Sequence, residues 1–132
     1  MERQKKVVDA SVALKWFLEE DKRGDALKLR ESHVFGDISI LVPELIFLEI
    51  LNSLRYKNVE EEFLHKVVSI ITKMKLVVRR IDDHLLQRAV KISLEYDLSI
   101  YDSLYAALSE VYGCELVTDD KKLMNFPNAV SL

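Results

Sequence analysis

Two hydrophobic periods alternate along the chain. Short runs of four or five aliphatic, often β-branched residues recur, and between them lie longer segments with apolar residues every three or four positions. The short runs predict strands at Lys5–Asp9 (KKVVD), Ser39–Val42 (SILV), Leu76–Arg80 (LVVRR) and Glu115–Thr118 (ELVT), with Ala129–Leu132 as a last edge strand. The longer segments predict helices. Ser11–Glu19 carries a stripe through Val12, Leu14, Trp16, Phe17 and Leu18, and Lys22–Glu31 is more polar. Glu44–Tyr56 is strongly apolar, with Pro43 near its first turn, where helix starts favour proline. Val59–Lys73 is amphipathic. Asp82 or Asp83 caps a helix running to about Tyr96, and Ser99 opens another that reaches Tyr112, with Gly113 as its stop. Lys121–Met124 predicts a short helical turn. Strands alternating with helices require crossover connections. The expected fold is therefore α/β: a single domain over residues 1–132, with a central, mostly parallel sheet of four to five short strands flanked by helices on both faces. In such sheets ligands bind outside the carboxyl ends of the strands.

Composition narrows the class. The chain has 132 residues, 49% apolar and 31% charged, which is the balance of one globular domain. Three glycines and two prolines leave no room for a flexible linker. The single cysteine, Cys114, rules out an internal disulfide, and no Cys/His spacing matches a zinc site. The basic residues near the N-terminus are not followed by a long apolar run, and no stretch approaches the roughly 18 apolar residues of a membrane span. A reducing, cytoplasmic location is expected, without membrane attachment. A net charge of −3 argues against a protein that coats nucleic acid through a broad basic surface. It leaves room for a nuclease, because a metal-binding pocket is itself acidic.

The acids carry the candidate chemistry. Asp9 ends the first predicted strand, and Asp119 and Asp120 follow the fourth, so these acids belong to the carboxyl edge of a parallel sheet. Asp102 lies in the first turn of the helix before that fourth strand. Glu49 is placed among Ile46, Phe47, Leu48, Ile50 and Leu51, where an unpaired carboxylate is costly. Two like charges at about 4 Å repel by roughly 4 kcal/mol at an effective dielectric near 20. Converging carboxylates therefore call for protons or a cation, and their hard oxygens suit magnesium or manganese. Each acid also has an ordinary explanation taken alone: helix capping for Asp9, a favourable dipole for Asp102, a polar turn for Asp119–Asp120, and a solvated stripe with Asn52 and Tyr56 for Glu49. Their agreement on one sheet edge is what favours a shared site.

Four segments, VVDASVALKW, VPELIFLEILNSL, LSIYDSLYAALSE and LVTDDKKL, in that order, resemble the PIN domain, and within it the VapC-type toxins of toxin–antitoxin pairs. The resemblance runs from Val7 to Leu123. It implies a metal-dependent endoribonuclease that hydrolyses RNA phosphodiester bonds, with Mg2+ or Mn2+ as cofactor. The four acids of the family then match Asp9, Glu49, Asp102 and, through a T-x-D pattern, Asp120. Asp9, Asp102 and Asp120 would hold metal, with Glu49 as a ligand or as the positioner of a water. Ser11, Thr118, Asn52 and Asp119 would support them from behind. The resemblance also implies a cognate antitoxin that covers the groove, and a homodimer. Lys15, Lys121 and Lys122 lie close in sequence to the acids and are candidates for RNA phosphates, although solvated lysines on exposed turns would look the same.

Other readings are weaker. A haloacid-dehalogenase-type site would place a second Asp where Ser11 stands, and a receiver domain would need acids where Val7 and Val8 stand. A non-catalytic PIN-like module that binds protein partners is the alternative from a different class, and the intact set of acids argues against it. His33, His65 and His84 share no ligand spacing and read as surface or capping residues, and Trp16 reads as core.

Overall fold

The computed structural model describes residues 3–132. Five parallel strands form one sheet: β1 Gln4–Val8, β2 Ile38–Pro43, β3 Val77–Arg79, β4 Glu115–Thr118 and β5 Ala129–Ser131. Their spatial order is β3-β2-β1-β4-β5. The α-helices are α1 Ala10–Ala13, α2 Arg23–Val34, α3 Leu45–Arg55, α4 Glu61–Lys73, α5 Asp83–Tyr96 and α6 Ile100–Tyr112. Short 3-10 turns follow at Leu14–Trp16 and Leu123–Asn125.

The order of strands decides where the site forms. The chain steps outward from β1 to β2 to β3, then returns past β1 to β4. Right-handed crossovers put α2 over one face of the sheet and α6 over the other. At the point of reversal, β1 and β4 lie side by side, so the segments that leave their carboxyl ends start from neighbouring positions. Val8 is in register with Val117, so Asp9 and Thr118 emerge together, and the Asp9 amide donates to the Val117 carbonyl at 3.4 Å.

Burial of apolar side chains holds this frame. Val7, Val8, Ile40, Leu41, Val42 and Leu116 are buried on the central strands. Strands covered on both faces read as continuous apolar runs, as ILV does here. On α3, Ile46, Ile50 and Leu54 recur every fourth residue and are fully buried, one stripe facing the core. On α6 the run Ser103–Ser109 is buried all round, because that helix packs against the sheet on one side and against α5 on the other.

Several boundaries differ from the sequence reading for identifiable reasons. The first helix is one turn of α-helix plus a 3-10 turn that ends at Trp16, and it does not reach Glu19. Trp16 is core, its indole N–H donating to the Ala26 carbonyl at 2.9 Å, which draws the chain tight there. The second helix runs on to Val34. Pro43 is the last residue of β2 rather than part of the next helix, whose first residue is Leu45. The predicted turn at Lys121–Met124 is a 3-10 turn at Leu123–Asn125. His33 is neither surface nor cap: it is buried, accepts from the Ile40 amide on Nδ1 at 3.0 Å and lies 2.9 Å from the Met74 carbonyl through Nε2. Asp82 and Ser99 are the helix caps expected, their side chains accepting from the amides of Leu85 and Asp102.

Candidate active site

Asp9 anchors the acidic edge. It caps α1 in extended conformation (φ −97°, ψ 178°), and its carboxylate accepts from the Val12 amide at 3.3 Å. Two hydroxyls also point at it: Ser11 Oγ donates to Oδ1 at 2.6 Å and Thr118 Oγ1 donates to Oδ2 at 2.6 Å. Each hydroxyl in turn accepts from the loop after β4. The Asp119 amide donates to Ser11 Oγ and the Asp120 amide to Thr118 Oγ1, both at 3.0 Å. A hydroxyl has one proton to give. Since both protons go to Asp9, the network requires Asp9 as acceptor, and it ties the Asp119–Asp120 turn to the end of β1.

Asp9 is only 4% exposed. Burial, with a contribution from the charge of Asp102, pushes its pKa up to about 6 from an ordinary 3.8, against the hydrogen bonds that lower it. Glu49 and Asp102, both half-buried, are shifted upward as well. Burial leads in each; Asp102 adds to the shift of Glu49, and Asp120 adds to that of Asp102. Asp102 thus stands between the others: its charge acts on Asp9 and Glu49, and that of Asp120 acts on it. Lys122 offsets part of that charge at Asp102.

The structure therefore brings Asp9, Glu49, Asp102 and Asp120 into one electrostatic neighbourhood. It does not close them into a cage: among the described residues no group of three or more His, Cys, Asp or Glu side chains is arranged to hold a metal ion directly. The donor chemistry still fits a hard divalent cation. Magnesium typically takes one or two carboxylates and keeps several waters, and a cation would offset both the burial of these charges and their mutual repulsion.

A family model for the PIN domain matches residues 6–128. The chain belongs to the PIN domain family. No curated protein sequence matches it. Solved structures with the same fold include a toxin–antitoxin complex from Klebsiella pneumoniae (15% identity, TM-score 0.73, covering 95% of this chain and 95% of that one). VapBC2 from Rickettsia felis, bound to a DNA fragment from their promoter, has 14% identity and a TM-score of 0.73 over 98% of each chain. Mycobacterium tuberculosis VapC20, a sarcin–ricin loop cleaving toxin, has 14% identity and a TM-score of 0.71 over 90% of this chain and 92% of its own. Among the described residues no helix is long and apolar enough to cross a membrane.

Within this PIN domain two sequence candidates stand elsewhere than expected. The Asp119 side chain is engaged by cations, 3.1 Å from Lys15 Nζ and 3.3 Å from Lys22 Nζ. Burial would raise its pKa, but the two lysines reverse that and hold it below the ordinary value. Its backbone, through Ser11, is what serves the site. Lys15 is not a solvated lysine: it is buried, with its ammonium between Asp119 and Glu20, the latter at 3.3 Å. Burial lowers its pKa, yet the two carboxylates outweigh that and raise it. An ammonium held this way is poorly placed to meet an RNA phosphate. Lys121 and Lys122 are exposed on the turn that follows Asp120, whose carboxylate accepts from the Lys122 amide at 2.8 Å. Asn52 is exposed one turn after Glu49 on α3.

One residue was missed. Tyr105 is buried on α6, and its hydroxyl donates to Glu49 Oε1 at 2.5 Å. Its place three residues after Asp102 puts both on one helix face, a spacing present in the sequence. Only the approach of α3 to α6 makes that spacing meaningful.

Proposed function

We propose that this PIN domain is a divalent-metal-dependent endoribonuclease and the toxin of a VapBC-type toxin–antitoxin pair. The observation that carries the reading is the acidic edge itself: Asp9 locked by Ser11 and Thr118, with Asp102 coupling its charge to Asp9, Glu49 and Asp120. Such an excess of hydrogen-bonded, raised-pKa carboxylate is unfavourable unless a positive ligand offsets it. Asp9, Asp102 and Asp120 would hold Mg2+ or Mn2+, which when bound supplies an activated water and charge stabilisation at a phosphoryl group. Glu49 orients water or adds a ligand oxygen. The hydroxyls of Ser11 and Thr118 favour the ionised form of Asp9 against its burial and fix its direction. Lys121 and Lys122 offer phosphate contacts from the neighbouring turn.

Support for the partners comes from the solved relatives. A toxin–antitoxin complex and VapBC2 share the fold over nearly their whole lengths. A cognate antitoxin covering the acidic edge, a homodimer and a cytoplasmic setting belong to the same proposal.

The test is cleavage of a mixed-sequence single-stranded RNA by pure protein, with manganese or magnesium and with chelator, beside Asp9→Asn and Asp102→Asn. Cleavage that needs metal and vanishes in both variants is the expected result. Full metal-dependent cleavage by Asp102→Asn would sink the mechanism. Absence of both cleavage and metal binding in every form would favour the non-catalytic binding module instead.

A further inference from the structure

Tyr105 links the two helices that bring acids from opposite sides. Tyr105 is 1% exposed, and its hydroxyl reaches Glu49, which is half-buried on α3. A neutral hydroxyl donating to a carboxylate at 2.5 Å is at the short, strong end of such bonds. Burial and the surrounding carboxylates of Glu49, Asp9 and Asp102 favour the neutral phenol, so it remains a donor. Glu49 needs this hold. Its neighbours along α3, Leu48 (68% exposed) and Asn52, face solvent, and a glutamate there has open rotamers leading away from the sheet edge.

We propose that Tyr105 is a positioning residue. It turns Glu49 inward from the solvent side of α3 by its bond to Oε1, so that the carboxylate faces the cation or a water on it. The proposal rests on the reading of the four acids as a divalent-cation site. It says that Glu49 contributes as a prealigned carboxylate, and that this alignment comes from the helix that also carries Asp102. If Tyr105 were only a satisfied core hydroxyl, its loss would change stability and leave ion binding alone.

Titration with Mn2+ alone, in the absence of RNA, separates these cases. The proteins are wild type, Tyr105→Phe, Glu49→Gln, the double variant and Asp102→Asn, with near-UV circular dichroism as the check of folding. Loss of an outer hydrogen-bond partner typically weakens metal binding 10–100-fold, so Tyr105→Phe is expected to bind Mn2+ at least about tenfold more weakly. In the double variant Tyr105→Phe should add little to Glu49→Gln, because it acts through the glutamate. Glu49→Asp, which retains the charge but is too short to keep the same bond, should weaken binding similarly and serves if Tyr105→Phe does not fold. Wild-type affinity in Tyr105→Phe or in Glu49→Asp, or effects that multiply in the double variant, would overturn the proposal. Asp102→Asn reports on the underlying reading. If it weakens binding while Tyr105→Phe does not, only the role of Tyr105 fails. If wild type binds no Mn2+, or Asp102→Asn binds as well as wild type, the cation site fails and takes this proposal with it.

Discussion

Two charged clusters meet at the turn after β4 and share its residues. On one side, Asp119 lies between Lys15 and Lys22, with Glu20 on the far side of Lys15. On the other side, Asp120 joins Asp9, Glu49 and Asp102, with Lys122 the cation that acts on Asp102. The residue types are the same and the two aspartates are adjacent. The first cluster is balanced, two cations against two anions, and it holds Asp119 below its ordinary pKa. The second is unbalanced, and there burial, with a smaller contribution from neighbouring carboxylates, pushes Asp9, Glu49 and Asp102 up. A balanced cluster completes its interactions within the chain and so works as a brace. An unbalanced one leaves charge that an external cation would offset, as proposed above. The contrast between these clusters, more than the number of acids, is what points to function.

The sharpest way to break the comparison is to substitute each aspartate of the pair. Asp120→Asn is expected to reduce metal-dependent RNA cleavage by about 100-fold or more, beyond the effect typical of outer partners, with stability nearly unchanged. Asp119→Asn should do the reverse: roughly 1 kcal/mol lost in urea unfolding, and cleavage reduced less than tenfold. Equal losses of cleavage in both variants would erase the distinction.

The pH dependence should carry opposite signs on the two sides. Asp9 has a folded pKa raised above its unfolded value, so its ionisation opposes folding. That cost is absent below about pH 4, grows as pH rises, and is complete above about pH 6, where a shift of this size corresponds to about 3 kcal/mol. Asp119, with its pKa lowered, favours folding above its ordinary value and loses that favour as pH falls through its lowered one. Mn2+ should relieve only the Asp9 side. The gain in Tm on adding saturating Mn2+ is therefore expected to increase from pH 4 to pH 7 in a thermal-shift assay. A gain that stays flat with pH would mean that the raised carboxylates are not what the ion meets.

The smallest effects belong to the exposed cations. Lys121→Ala and Lys122→Ala should each weaken single-stranded RNA binding by a few fold and lower the slope of log affinity against log salt by about 0.7. Lys15→Met should leave that slope alone and reduce stability instead, because its ammonium is enclosed by Asp119 and Glu20. A salt slope altered by Lys15→Met would place it among the RNA contacts after all.

Much of the architecture was legible because it follows local rules. Short aliphatic runs gave the strands, Asp82, Ser99 and Gly113 gave the helix ends, and the carboxyl-edge rule gave the direction in which Asp9 and Asp120 emerge. Less was legible wherever a side chain's partner came from a distant segment. The T-x-D pattern singled out Asp120 and left Asp119 as a supporting residue, but nothing in the linear reading showed that Lys15 and Lys22 approach Asp119 from the β1–β2 connection. His33 looked like a surface residue until Ile40 and Met74 closed around it.

What the chain determined by itself was the alternation of strand and helix and the placing of acids at element ends, because periodicity and capping act over a few residues. What only the tertiary structure decided was which acids share a field and which are neutralised. Electrostatic coupling depends on distance through space and on burial, and both are set when β1 and β4 pair and α3 meets α6. Tyr105 is the clearest case: unremarked in the linear reading, it reaches Glu49 only because two helices, 56 positions apart at that contact, come together at the sheet edge.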